Sequence, residues 1–149
     1  MADEKAPHVI IARDFLVRAE RRINGASAAV ARSDTDPGEF DNHFDGVVTA
    51  IFHVVDAYEV ATSGAKRRVG EAEQATRIQS VLAALRSIGT PDVPPGSRLI
   101  DLNRRRNTSV HGEWMEVLDK DALQDAVRAA LGLLVAVRHA LASQGIDVT

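Results

Sequence analysis

Apolar residues return every three or four positions along most of this chain and nowhere keep strict alternation, so the pattern predicts helices and no strands. The first helix runs from about Pro7 to Arg32, with Pro at a first-turn position. Its seam is Ala12, Leu16, Ala19, Ile23, Ala26 and Val30, and its small residues allow a neighbour to approach closely. Arg13, Arg18, Arg21, Arg22 and Arg32 cover the wet side. Asp36-Pro37, with Glu39 three residues past the Asp, reads as the capped start of a second helix that Gly64 ends. Phe40, Phe44, Val47, Ile51, Val54 and Tyr58 form one stripe there. Val48, Phe52 and Val55 widen it, which predicts the central, most buried helix.

The third helix covers about Gly70 to Ile88, with Ile78, Val81, Leu82, Leu85 and Ile88 inward and Gly89 as its stop. Thr90 to Gly96 holds three prolines and cannot be helix interior, and Ser97 is a plausible cap for the fourth helix. That helix is expected to lose order after Gly112, near Trp114–Leu118. Asp119 or Asp121 then caps the fifth, Asp121 with Gln124 forming the better box. Leu123, Val127, Ala130, Leu134, Val137 and Leu141 make its seam, which ends at Gly145. Faces this wide must bury against one another. The expectation is all-α, an up-and-down bundle of about five helices in a single domain over residues 1–149.

Composition narrows the chemistry. The chain has 149 residues, is 45% hydrophobic and contains no Cys, which removes disulfide scaffolds and thiolate metal sites. The start, MADEKAPHVIIARDF, lacks the pattern of a signal peptide, and no run reads as long enough to span a bilayer, so a cytoplasmic protein is the expectation. The net charge of −3 argues against broad coating of nucleic acid. Any such contact must be local, through Arg104–Arg106 or Lys66-Arg67-Arg68, the latter reading more simply as a solvated helix end.

The stretch DLNRRRNTSVHG, residues 101–112, departs from this ordinary pattern. At roughly 100° per residue, Arg106 falls among Leu99, Leu102 and Val110, in the middle of the apolar side. Asn107 and His111 stand one turn apart, Arg104 nearly aligns with His111, and Arg105 projects the opposite way. A guanidinium does not deprotonate to escape burial, so it needs a carboxylate, a partner chain or a phosphate. Asp45, Asp56 and Glu59 of the second helix are the internal candidates, with Asn107 and His111 completing a buried polar network.

Arg106-Asn107-Thr108-Ser109-Val110-His111, on the penultimate helix of five, resembles the motif of the HEPN family of small helical domains. That motif is an Arg, four to six residues, then a His, with Asn favoured after the Arg. Arg104 and Arg105 also meet the spacing, and Arg106 is preferred because Asn follows it. FHVVDAYEVATSGAKR is also loosely similar to that family's second helix. The resemblance implies a metal-independent endoribonuclease acting as a homodimer, in which two motifs face each other and form one composite site. Arg106, Asn107 and His111 would be catalytic, and Arg104 and Arg105 substrate-binding. RNA is the implied substrate, no cofactor is implied, and a toxin–antitoxin or defence setting with an antitoxin or nucleotidyltransferase partner follows by analogy. Many such domains instead bind RNA, nucleotide or protein without turnover.

Other constellations carry less. None of the five histidines has a Glu three residues before it, so the Glu-x-x-His pairs of a bundle di-iron site are missing, and no metal site is expected. His53 lies opposite the apolar stripe and reads as a surface residue; His43 reads as a satisfied boundary residue. Ser63-Gly64-Ala65-Lys66 matches a Ser-x-x-Lys pattern without its companion motifs. Asn107-Thr108-Ser109 is formally a glycosylation sequon but lies inside an expected helix.

Overall fold

Five helices, α1 (Pro7–Ala31), α2 (Pro37–Ser63), α3 (Gln74–Ser87), α4 (Gly96–Val110) and α5 (Lys120–Ser143), pack as an all-α bundle around α2. The computed structural model describes residues 6–32, 37–64, 74–110 and 119–149, and no strand occurs among them. From Phe44 to Ala61, α2 is buried on most of its circumference, including Val47, Ile51, Val54, Val55 and Tyr58. A helix apolar this far round must be covered from several sides. Here α1 and α5 cover it most extensively and also touch each other, while α3 and α4 lie across the remaining side.

Alanine explains the closeness of α1 to α2. Ala12, Ala19, Ala26 and Ala29 share the buried seam with Leu16 and Ile23, so little side-chain volume separates the two backbones along most of it. Ala29 takes the last buried place on this seam, and Val30 is only half-buried. The same proximity brings the ring of Phe15 over His53, with centroids 5.7 Å apart. His53 is therefore half-buried in a stacked pair, not a surface residue as its place on the wheel suggested.

Helix ends differ from expectation where local signals competed. Asp119 caps α5, accepting a hydrogen bond from the Ala122 amide at 2.9 Å, and Asp121 sits inside the first turn. Two carboxylates compete for one cap, and the one whose backbone is extended, Asp119, takes it. Ser97 does not cap α4, because Gly96 is already helical and the Arg98 amide donates to Pro95 O at 3.2 Å. Ile88 is exposed, not inward, since α3 stops at Ser87. There the amides of Gly89 and Thr90 donate to the carbonyls of Arg86 and Leu85, a Schellman turn that Gly89 permits with φ +77°. Gly145 ends α5 in the same way. The expected cap at Asp36, the third helix's start at Gly70 and the expected loss of order near 114–118 lie outside the described residues.

Length and composition make α5 apolar enough to cross a membrane, contrary to the expectation that no run qualified; half of that window is buried within the bundle. Leu123, Val127, Ala130, Leu134, Val137 and Leu141, the predicted seam, are all buried.

Candidate functional site

Four residues of α4 face α2 as a strip. Leu99 and Leu102 are buried, and Arg105 and Arg106 flank the line they make. Arg106 follows Leu102 by four residues and Arg105 by three, so they diverge from it by roughly 40° and 60° on opposite sides. Both guanidinium groups reach an aromatic ring of α2, Arg105 over Phe44 and Arg106 over Phe52, each 5.8 Å from the centroid. That distance is within the range of a cation–π contact. Arg105 is thus half-buried on the bundle side of α4, where the projection had turned it away; its long stem spans the 60° offset.

Among the described residues, Arg106 is held by three neighbours of different kinds. Beneath it is the Phe52 ring. Beside it, Asn103 Oδ1 accepts from Nη2 at 3.1 Å, and the Asn103 amide in turn donates to Gln74 Oε1 on α3 at 3.4 Å. On the solvent side, Asp45 Oδ1 stands 3.8 Å from Nε, too far for a direct hydrogen bond. The Arg106 side chain is 19% exposed and that of Asp45 is 53% exposed.

Asp56 and Glu59, the other two acids offered to Arg106 by the sequence, are engaged elsewhere. Arg77 of α3 donates from Nη2 to Asp56, and from Nε and Nη2 to Glu59 at 3.0 and 2.8 Å. Its side chain is 9% exposed. Burial alone would lower its pKa, but the bonds to both carboxylates outweigh that and hold it above the usual arginine value. Arg77 is the internal arginine that the sequence reading passed over. The signal was present: Arg77 shares the inward face of α3 with Ile78, Val81, Leu82 and Leu85, and so meets the same test of an arginine on an apolar face that singled out Arg106.

Arg104 points to solvent, 76% exposed, and pairs with Asp101 one turn earlier at 2.5 Å. Arg105 also lines an open cleft of about 460 Å³ with Asp119, Asp121, Ala122, Gln124, Asp125 and Arg128, at the start of α5. This cleft holds three carboxylates against two arginines. Asn107 is half-buried one residue beyond Arg106, and His111 lies outside the described residues. Among the described residues no group of three or more His, Cys, Asp or Glu is placed to hold a metal ion. Among the described residues the arrangement that results is one guanidinium fixed by an aromatic face and a neutral carbonyl, with a single exposed carboxylate on its solvent side.

Comparisons with protein-family models, with curated proteins and with solved structures return no match to this chain.

Proposed function

We propose that this chain is a metal-independent endoribonuclease of HEPN type, working as a homodimer in a toxin–antitoxin or defence setting. The observation that carries the reading is the state of Arg106. Among the described residues its fixed contacts, Phe52 and Asn103, are uncharged, and the interior acids Asp56 and Glu59 are already bound by Arg77. A cation presented in this way suits a phosphate better than it suits the protein interior.

In the proposed reaction a base removes the proton of an RNA 2′-hydroxyl, and the oxygen attacks the adjacent phosphorus. The new O2′–P bond forms as the P–O5′ bond breaks, and an acid returns a proton to O5′. The products are a 2′,3′-cyclic phosphate and a free 5′-hydroxyl. His111 serves as base or acid, since an imidazole with a pKa of about 6.5 can do either near neutrality. A second His111, from the partner copy, supplies the complementary role. Arg106 stabilises the charge that builds on the phosphorane oxygens. Asn107, one turn from His111, orients the ring or holds a phosphate oxygen. Arg104 and Arg105 are the further phosphate contacts, Arg104 being the more exposed of the two.

A second reading, a helical module that binds RNA, nucleotide or protein without turnover, draws on the acids around the same strip. Asp101 and Asp45 stand beside Arg104 and Arg106, and the chain as a whole is acidic. The deciding experiment is incubation of labelled RNA with the protein in excess chelator. The nuclease reading expects cyclic-phosphate products that disappear in His111→Ala and Arg106→Ala. Equal degradation by wild type and His111→Ala would sink it, and salt-sensitive binding without products would establish the module.

A further inference from the structure

We infer that Asp45 occupies, in the free protein, the place at Arg106 that a phosphate takes when a polynucleotide binds, and so sets how tightly the site takes its ligand. This rests on the reading of Arg106 as a phosphate contact and adds a residue that neither the motif nor the sequence pattern assigns to that task. The contacts around Arg106 divide by charge. The Phe52 ring and Asn103 Oδ1 are neutral, and each belongs to a packed part of the bundle. Among the described residues that touch Arg106, Asp45 alone carries a negative charge, and it alone is mostly in solvent. A 3.8 Å separation from Nε makes its hold electrostatic, without the directional bond that would lock it. A carboxylate so placed can turn into water while the guanidinium stays on its ring. The two groups that remain do not compete for an anion, and the vacated side is the one open to solution.

Asp45 differs in this from the other acids of α2. Asp56 and Glu59 are tied to Arg77, and their displacement would expose a buried cation. Asp41, one turn before Asp45, is exposed and offers a control of like charge on the same helix. Arg104 has Asp101 beside it, but that pair lies within one helix and is largely solvated, so its exchange for a phosphate changes little.

The test is the affinity of the full chain for a labelled single-stranded RNA oligonucleotide carrying 2′-O-methyl riboses, which the proposed 2′-hydroxyl attack cannot cleave, measured by fluorescence anisotropy at low salt. Asp45→Asn is expected to bind about three- to tenfold tighter than wild type, by removing a competing charge. Asp41→Asn is expected to change affinity by less than about twofold, since screening in water weakens its effect. In an Arg106→Ala background Asp45→Asn is expected to give no gain. Thermal melts of each variant establish that the fold is intact. If Arg106→Ala weakens binding but Asp45→Asn tightens nothing, this inference fails and the assignment of Arg106 survives. If Asp45→Asn tightens binding equally with and without Arg106, its effect is general charge and the inference also fails. If Arg106→Ala leaves RNA affinity unchanged, both the inference and the reading beneath it are overturned.

Discussion

Arg77 donates to Asp56 across the contact between α3 and α2, and this pair leaves Arg106 without an interior acid among the described residues. The two arginines meet the same helix in opposite ways. One is locked between two carboxylates. The other lies on a phenylalanine ring with an exposed carboxylate at arm's length.

Loss of Arg77 is expected to be severe. Arg77→Ala strands Asp56 and Glu59 without their cation, and breaking such a buried pair costs about 3–5 kcal/mol. Urea denaturation should register this as a lower midpoint with little change in slope. Adding Asp56→Leu and Glu59→Leu to Arg77→Met should recover much of the loss, because the buried charges are then replaced by packing. A single Arg77→Ala variant as stable as wild type would show that Asp56 and Glu59 do not depend on it.

Arg106 is expected to matter to chemistry more than to stability. Arg106→Ala should lower RNA cleavage by about a hundredfold or more, the range seen when a positioned transition-state donor is removed. Its thermal midpoint should fall only slightly. Arg104→Ala, which removes a solvated side chain, should stay within about threefold of wild type. Arg105→Ala should lose stability as well as activity, because it uncovers Phe44. Cleavage rates for the three variants side by side identify which guanidinium belongs to the motif. A loss confined to Arg104→Ala would move the motif by two residues.

Asp119 should prove to be the cap of α5. Asp119→Ala removes the acceptor for the Ala122 amide and is expected to cost about 1 kcal/mol. Asp121→Ala loses only an acidic group in the first turn and should cost less than about 0.5 kcal/mol. Chemical denaturation of the two single variants separates them, and the reverse order would return the cap to Asp121.

The Glu20–Arg138 pair predicts a modest pH dependence. Its hydrogen bond to Arg138, with the charge of that guanidinium, holds the Glu20 carboxyl below the usual range against a small opposing effect of burial. A carboxyl whose folded pKa is depressed adds stability above its unfolded pKa and loses it as pH falls through the folded value. Glu20→Gln should therefore cost stability at about pH 7 and nothing at about pH 2, with a loss below about 1 kcal/mol because both side chains are well exposed. Denaturation midpoints at the two pH values check this, and an equal deficit at both would remove the ionic contribution.

Much of this architecture was legible because helix periodicity is a local property. Seams spaced at three and four residues located all five helices, and the seams of α2 and α5 are buried as read, Phe40 and Phe52 of α2 being half-buried at its margin. The small residues in the α1 seam announced a close neighbour, and α2 is that neighbour. Glycines at 64, 89 and 145 marked helix ends because only their positive φ closes those turns without strain. Arg106 was found because a cation on an apolar stripe is anomalous on any wheel.

Which cation meets which anion was decided only in three dimensions. On its own helix Arg106 is as apolar in setting as Arg77, and Asp45, Asp56 and Glu59 were equal candidates for it on theirs. The placement of α3 and α4 across α2 puts Arg77 against Asp56 and Glu59, and sets Arg106 between Phe52 and the exposed Asp45. Spacing along a chain fixes the face on which a residue lies. The charge it finds there depends on how helices distant in sequence are laid over one another, because ion pairing acts over a few ångströms of space and takes no account of distance along the chain.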